Sequence, residues 1–394
     1  MPSSLDLTPE AALLLACINV SSTPEEKSQR ISELLRKSID WNRFVNLVTS
    51  HNLTSIVSPI LKSGGGAGRI PSTAFAGLRY WELANTATSE RRGVELAAIM
   101  TRFEAAGIPA LVFKGPALAV VAYGNPTIRA YSDLDILIPR SNVVSAAELL
   151  IADGFDVYSY KREVFERSFF SNKSENFYSD RASVDLHWTL QDRWFPFGPD
   201  EEVLWSRTEN FSLKGRDFRT LGAADHLLFL CVHASKHGWP SLAAVVDVAT
   251  FLKMRPELNP LALIDEAARL GCNRMVLLAF SLASQIAGAS LACEVYRILQ
   301  CDKAVCRLTA QIFKRSLAVS QHETTFRRWT TAARVLSSPF AQIRMYAAHM
   351  LIPIADDYNH VPLPAPLYFL YYLVRPLRIA GRGTSLLFRR LSKL

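Results

Sequence analysis

Two aspartates separated by one apolar residue, Asp133 and Asp135, carry the strongest chemical signal in the chain. On a strand, side chains two apart share a face and lie roughly 6–7 Å apart along the chain. Leu134, Ile136 and Ile138 would then face the other way, into a core. A third acid fits the same design. In Val184-Asp185-Leu186-His187, Asp185 and His187 share one strand face and Leu186 takes the other. If the two strands are neighbours, three carboxylates meet on one patch of a sheet. Mg²⁺, or Mn²⁺ in its place, takes oxygen ligands and commonly shares its shell with phosphates. Three carboxylates suffice for two ions about 3.5–4 Å apart.

Upstream, Lys114-Gly115-Pro116 lies between a short apolar strand, residues 110–113, and a helix ending near Tyr123. The N-terminus of such a helix points free N–H groups at anions. Lys114 adds positive charge, and Gly115 lets the backbone approach a phosphate closely. Arg129 either contacts phosphate or acceptor, or pairs with a nearby acid. Downstream, His233, Lys236 and His237 fall on about one helical face. They either reach into the cleft or, for the histidines, cap the helix end before Gly238. Asp247, one helix later, could orient one of them. A zinc site is a poor reading, since there is no HExxH and no evident third ligand. Trp188 and Trp239 read as core residues rather than base-stacking platforms. The glycine run in Ser63–Gly68 lacks the Lys-Ser/Thr of a P-loop and reads as a linker.

The elements that must position these groups can be read in order. Residues 5–62 read as helices, with Thr23-Pro24-Glu25-Glu26 a strong helix start. Residues 73–106 read as one long helix or two. Strands are expected at 110–113, through the two aspartates to about Ile138, and at 155–160, with a helix at 142–153 between the last two. Residues 161–176 read as a loop or short helix. A hairpin follows, 177–181 with 183–188, and 211–221 offers one more short pair. Beyond Leu221 the chain reads as helices: 223–237, 242–254, further helices to about 320, and one from about 328 to 349. Residues 361–394 are aromatic and basic with no acid. They could lie on an acidic membrane surface, track RNA phosphates, or pack as a final helix.

The bulk numbers are those of an ordinary globular protein of two or three domains: 394 residues, 49% hydrophobic and 20% charged. A net charge of +8 suggests mild attraction to anions and decides nothing alone. Six cysteines form no CxxC pair and match no zinc module, so they read as buried thiols in a reducing compartment. The N-terminal segment lacks a basic signal-peptide start, and its apolar run is far below the ~20 residues a bilayer span needs. A cytoplasmic location is expected.

Several motifs in order resemble the nucleotidyltransferase superfamily of the DNA polymerase β type, and most of all an uncharacterised bacterial subfamily. They are F-K-G-x-A-L at 113–118, Y-G-N-P-x-x-R at 123–129 and S-D-L-D-I-L-I at 132–138. V-D-L-H-W at 184–188, H-x-x-K-H-G-W at 233–239 and V-D-V-A at 246–249 complete the set. The resemblance implies an α+β fold: a small mixed-sheet nucleotidyltransferase core flanked by N- and C-terminal helical regions. The resemblance spans roughly residues 30 to 270, and the order of elements divides the chain into a helical region 1–106, a core 107–221, a helical domain 222–350 and a tail 351–394. The resemblance implies metal-dependent transfer of a nucleoside monophosphate from an NTP to an acceptor hydroxyl. Asp133, Asp135 and Asp185 would be the metal ligands, with Asp185 helping to deprotonate the acceptor. The acceptor is open among a small molecule, a peptide, a protein and RNA, with the net charge tilting slightly toward nucleic acid. The superfamily's usual Gly-Ser is replaced here by Lys114-Gly115, so an inactive nucleotide-binding or regulatory protein on the same fold is the alternative.

Overall fold

The computed structural model describes residues 7–63, 68–157, 173–192, 195–318 and 325–391. The glycine run and most of the segment read as a loop at 161–176 lie outside the described residues. The fold is α+β. Five strands form a mixed sheet in the order β1-β2-β5-β4-β3, with β1 Leu111–Val112, β2 Leu134–Leu137, β3 Asp156–Val157, β4 Ser174–Tyr178 and β5 Ser183–His187. β2 and β5 pair in parallel, and the other neighbours are antiparallel.

Local chemistry explains most of the elements. Thr23 and Glu26 form a reciprocal capping box ahead of the helix Pro24–Leu34. One continuous helix, Ser72–Ala105, fills the stretch read as one or two. The β4–β5 hairpin turns where expected, closed by the Ser179 N–H donating to the Ala182 carbonyl at 2.9 Å. β4 begins earlier than the hydrophobic pattern suggests, because Ser174 and Glu175 are held by backbone pairing with His187 and Leu186. A separate hairpin, β6 Glu209–Leu213 and β7 Arg216–Thr220, turns on Lys214-Gly215. Both turn residues have positive φ, as a tight two-residue hairpin requires. The single helix expected at 328–349 is two, Thr325–Val335 and Pro339–Leu351. Pro339 disfavours helical geometry at Ser338 and opens the second helix.

The sheet separates two apolar clusters. Leu134, Ile136 and Ile138 pack with Val184, Leu186 and the long helix's Leu96, Ile99 and Phe103. Leu111, Phe113 and Leu137 face a larger cluster that joins the N-terminal helices to the helices Ala223–Lys236, Leu242–Met254 and Asn273–Ala287. The alternation expected for β2 therefore holds, and its acidic face looks toward the helical part of the molecule. Cys17, Cys231 and Cys272 are buried, but Cys293, Cys301 and Cys306 are exposed, so only half of the thiols meet the expectation of burial. No described helix is long and apolar enough to cross a membrane.

Candidate active site

Strand register builds the centre of the site. In the parallel β2–β5 pair, Asp135 stands opposite Asp185 and Leu137 opposite His187. Ligand atoms of Asp135, Asp185 and His187 all lie within 4.8 Å of one another. His187 Nε2 is 2.8 Å from Asp185 Oδ2 and 3.3 Å from Asp135 Oδ1. Asp133 sits one residue before β2, in a bend rather than in the strand, and lines the same cleft. The Ser132 hydroxyl donates to its Oδ1 at 3.1 Å.

Cations surround these acids. Lys114 Nζ forms an ion pair with Asp135. Lys173 Nζ lies 3.9 Å from Asp185 Oδ2 and 3.5 Å from His187 Nδ1. Burial disfavours the charged form of Asp185, yet His187, Lys173 and Lys114 outweigh it and hold that carboxyl well below the usual carboxylate range. Asp133 goes the other way. Burial pushes its carboxyl up, Asp135 adds to the shift, and Lys114 only partly opposes it. One buried oxygen, Asp185 Oδ1, has no hydrogen-bond partner among the described residues. A buried carboxylate oxygen without a donor is costly, and a cation at this point would satisfy it.

The loop before the helix Gly115–Tyr123 is strained. Lys114 has φ 59° and Gly115 φ 38°, and only glycine takes such values freely. A Cβ on Gly115 would stand 3.4 Å from the Asp133 carbonyl oxygen. No side chain caps the N-terminus of this helix. Strain of this kind, of order 1–3 kcal/mol, is typically stored at functional sites.

All nine residues singled out in the sequence line one cleft of about 730 Å³ between the sheet and the helices Ala223–Lys236 and Leu242–Met254. They are Lys114, Gly115, Arg129, Asp133, Asp135, Asp185, His233, Lys236 and His237. Lys236 Nζ is held by Asp192 and, at 3.0 Å, by Gln191 Oε1. The rings of His233 and His237 stand 4.6 Å apart. Burial, then Lys114 and His237, push His233 well below the ordinary histidine range. Arg129 pairs with an acid: its Nε donates to Asp247 Oδ2 at 2.9 Å. The other oxygen of Asp247 accepts from the Tyr123 hydroxyl at 2.7 Å. Trp188 and Trp239 are buried in the core.

Three site residues had no assigned role in the sequence. His187 shares the Asp185 face by alternation, and that signal was available. Lys173 was placed in a loop, and only the β4 register brings it to Asp185. Tyr123 holds the cleft residue Asp247 through a contact spanning 124 residues.

No curated protein matches the chain. The solution structure of the antibiotic-resistance factor ANT(2'')-Ia matches at 13% identity and a TM-score of 0.32, over 45% of this chain and 90% of that one. A family model described as an uncharacterised nucleotidyltransferase matches residues 37–288, a span that holds every residue of the cleft described above, and the chain belongs to that nucleotidyltransferase family.

Proposed function

We propose that the cleft transfers a nucleoside monophosphate from an NTP to an acceptor hydroxyl with the help of a divalent cation, Mg²⁺ or Mn²⁺. The observation that carries this reading is the parallel pairing of Asp135 with Asp185 beside the Lys114-Gly115 loop. The donor set suits a hard cation, and the partnerless Asp185 Oδ1 adds a reason for one to bind. Asp133, Asp135 and Asp185 would hold it, with His187 at hand as a further ligand. A bound cation supplies charge neutralisation for the triphosphate and lowers the pKa of a bound hydroxyl.

The chain's own residues have distinct tasks in this reading. The uncapped helix at Gly115 and the Lys114 ammonium take phosphate oxygens. Lys173, Lys236 and Arg129 add positive charge along the cleft wall. Asp185 stays ionised and accepts the acceptor's proton. The acceptor oxygen bonds to the α-phosphorus, the bond to the bridging oxygen breaks, and pyrophosphate leaves. Catalysis then rests on positioning and electrostatics. The cleft would join a core of residues 107–221 to a helical domain of residues 222–350.

One observation favours a second reading. Lys114 already pairs with Asp135, in the loop where Lys114-Gly115 stands for the Gly-Ser that the resemblance implies. A nucleotide-binding protein without turnover would tolerate that pair. Incubation with each α-labelled NTP, Mg²⁺ and cell extract separates the two. Label transfer that Asp185→Asn lowers by about 10²–10⁴-fold, the range for a lost proton acceptor, supports the enzyme. Tight NTP binding with no transfer from the parent supports the binder. Chelation of divalent ions should abolish transfer and restore it on Mg²⁺ addition.

A further inference from the structure

The helix Tyr371–Leu391 is amphipathic, and its first turns are mounted inside out. Arg375 and Arg378 face inward. Arg375 is only 5% exposed, with Nη1 at 3.1 Å from Asp357 Oδ2 and Nε donating to the His349 carbonyl at 3.0 Å. Arg378 Nε lies 2.8 Å from Asp357 Oδ1, and that carboxylate is fully buried. Its leucines face outward: Leu373 is 62% exposed, and Leu377, one turn on, is 73% exposed. The helix Pro339–Leu351 packs against it and shows the same habit, with Phe340 73% and Ile343 65% exposed. Burying guanidinium groups costs desolvation, and leaving leucines in water forgoes the gain from apolar burial. A surface that runs against both rules marks a face that something else covers.

Charge selects the occupant. From Tyr358 to Leu394 the sequence contains no acid and six basic residues, Arg375, Arg378, Arg382, Arg389, Arg390 and Lys393. Asp357 engages the first two of these. A second copy of this chain would bring the same positive charge to the contact and be repelled. RNA would select a face of arginines, and the outward face here is apolar. An interfacial bilayer site takes both features, with apolar side chains among acyl chains and basic ones among anionic headgroups. No described helix could span the bilayer. We infer that this helix pair docks on an anionic membrane surface, lying in the interface plane and holding the cleft near the lipid.

The test uses the full chain in vesicle co-sedimentation, with vesicles of phosphatidylcholine alone and of phosphatidylcholine and phosphatidylglycerol in equal parts. About tenfold or greater enrichment on the anionic vesicles is expected, falling as salt rises. Leu377→Glu and, separately, Leu373→Ser should each lower binding by about tenfold, because each removes a leucine from the acyl region. Both positions are exposed, so unfolding midpoints should match the parent. Absence of binding, equal binding to neutral and anionic vesicles, or binding that both variants retain overturns the inference. So does a vesicle-independent dimer that Leu377→Glu dissolves, or RNA binding without vesicle binding.

Discussion

Removing the charge of Asp247 tests how the Arg129 wall of the cleft is held. This carboxylate is almost wholly buried and serves two donors, Tyr123 at 2.7 Å and Arg129 at 2.9 Å. In Asp247→Asn the amide oxygen can still accept from Arg129 while the amide nitrogen donates to the Tyr123 oxygen. Both hydrogen bonds survive, but charge assistance is lost, which costs about 1.5–3 kcal/mol. Asp247→Ala leaves the Arg129 guanidinium without its anion in a largely buried place, and about 3–5 kcal/mol is expected. Urea unfolding of the parent, Asp247→Ala, Arg129→Met and the double variant closes a cycle. The double variant removes both charges, so it should be less damaged than the sum of the singles, by about 2 kcal/mol. The pair is shielded from solvent, so most of that coupling should persist in 1 M salt, where the Debye length is about 3 Å. Additivity within about 0.5 kcal/mol would refute the reasoning.

Gly115→Ala puts a Cβ at φ 38° and against the Asp133 carbonyl. It should cost about 1–2 kcal/mol of stability and lower label transfer, and an unchanged urea midpoint would contradict the strain. His226 is buried beside Phe251, and burial, then Arg255 and Arg129, push its pKa down to about 3. Below the unfolded value of 6.5 the unfolded chain binds a proton that the folded chain refuses, so stability falls as pH drops from about 6.5 toward 3. The loss from this one group should reach about 2 kcal/mol by about pH 5. In His226→Leu the slope of unfolding free energy against pH should flatten over that window, and an unaltered slope counts against it. Thiol titration of the native protein should find Cys293, Cys301 and Cys306 reactive and the other three protected. Burial supports that protection by pushing Cys17 and Cys272 each up to about 12.

What could be read from the sequence is the part encoded by short-range rules. Alternation placed Asp133 and Asp135 on one side of a strand and Leu134, Ile136 and Ile138 on the other, although Asp133 lies just before the paired residues. The break near Asp180-Arg181-Ala182 located the first hairpin, and Thr23-Pro24-Glu25-Glu26 located the start of an N-terminal helix. What escaped depends on which strand lies beside which. The register that opposes Asp135 to Asp185, and Asn176 to Asp185 from the other side, is set by tertiary packing, and Lys173 enters the site only through it. The Arg129–Asp247–Tyr123 group joins a loop to two helices, and its sequence signal was two separate motifs, Y-G-N-P-x-x-R and V-D-V-A, with nothing to show that they meet. The C-terminal helix was legible as basic and aromatic, but the inward turn of Arg375 and Arg378 follows from Asp357, a residue that precedes the tail's acid-free stretch.

The parallel pairing of β2 with β5 also constrains how the protein matures. Asp135 and His187 are 52 residues apart, and no tight turn can join parallel neighbours. A nascent chain that has emerged only as far as β2 displays two aspartates with nothing opposite them. Closing so long a loop delays the contact relative to nearby helices. The facing of Asp135 by Asp185 is therefore complete only once β5, residues 183–187, has been made, so the acidic cluster is a product of long-range closure and not of β2 alone.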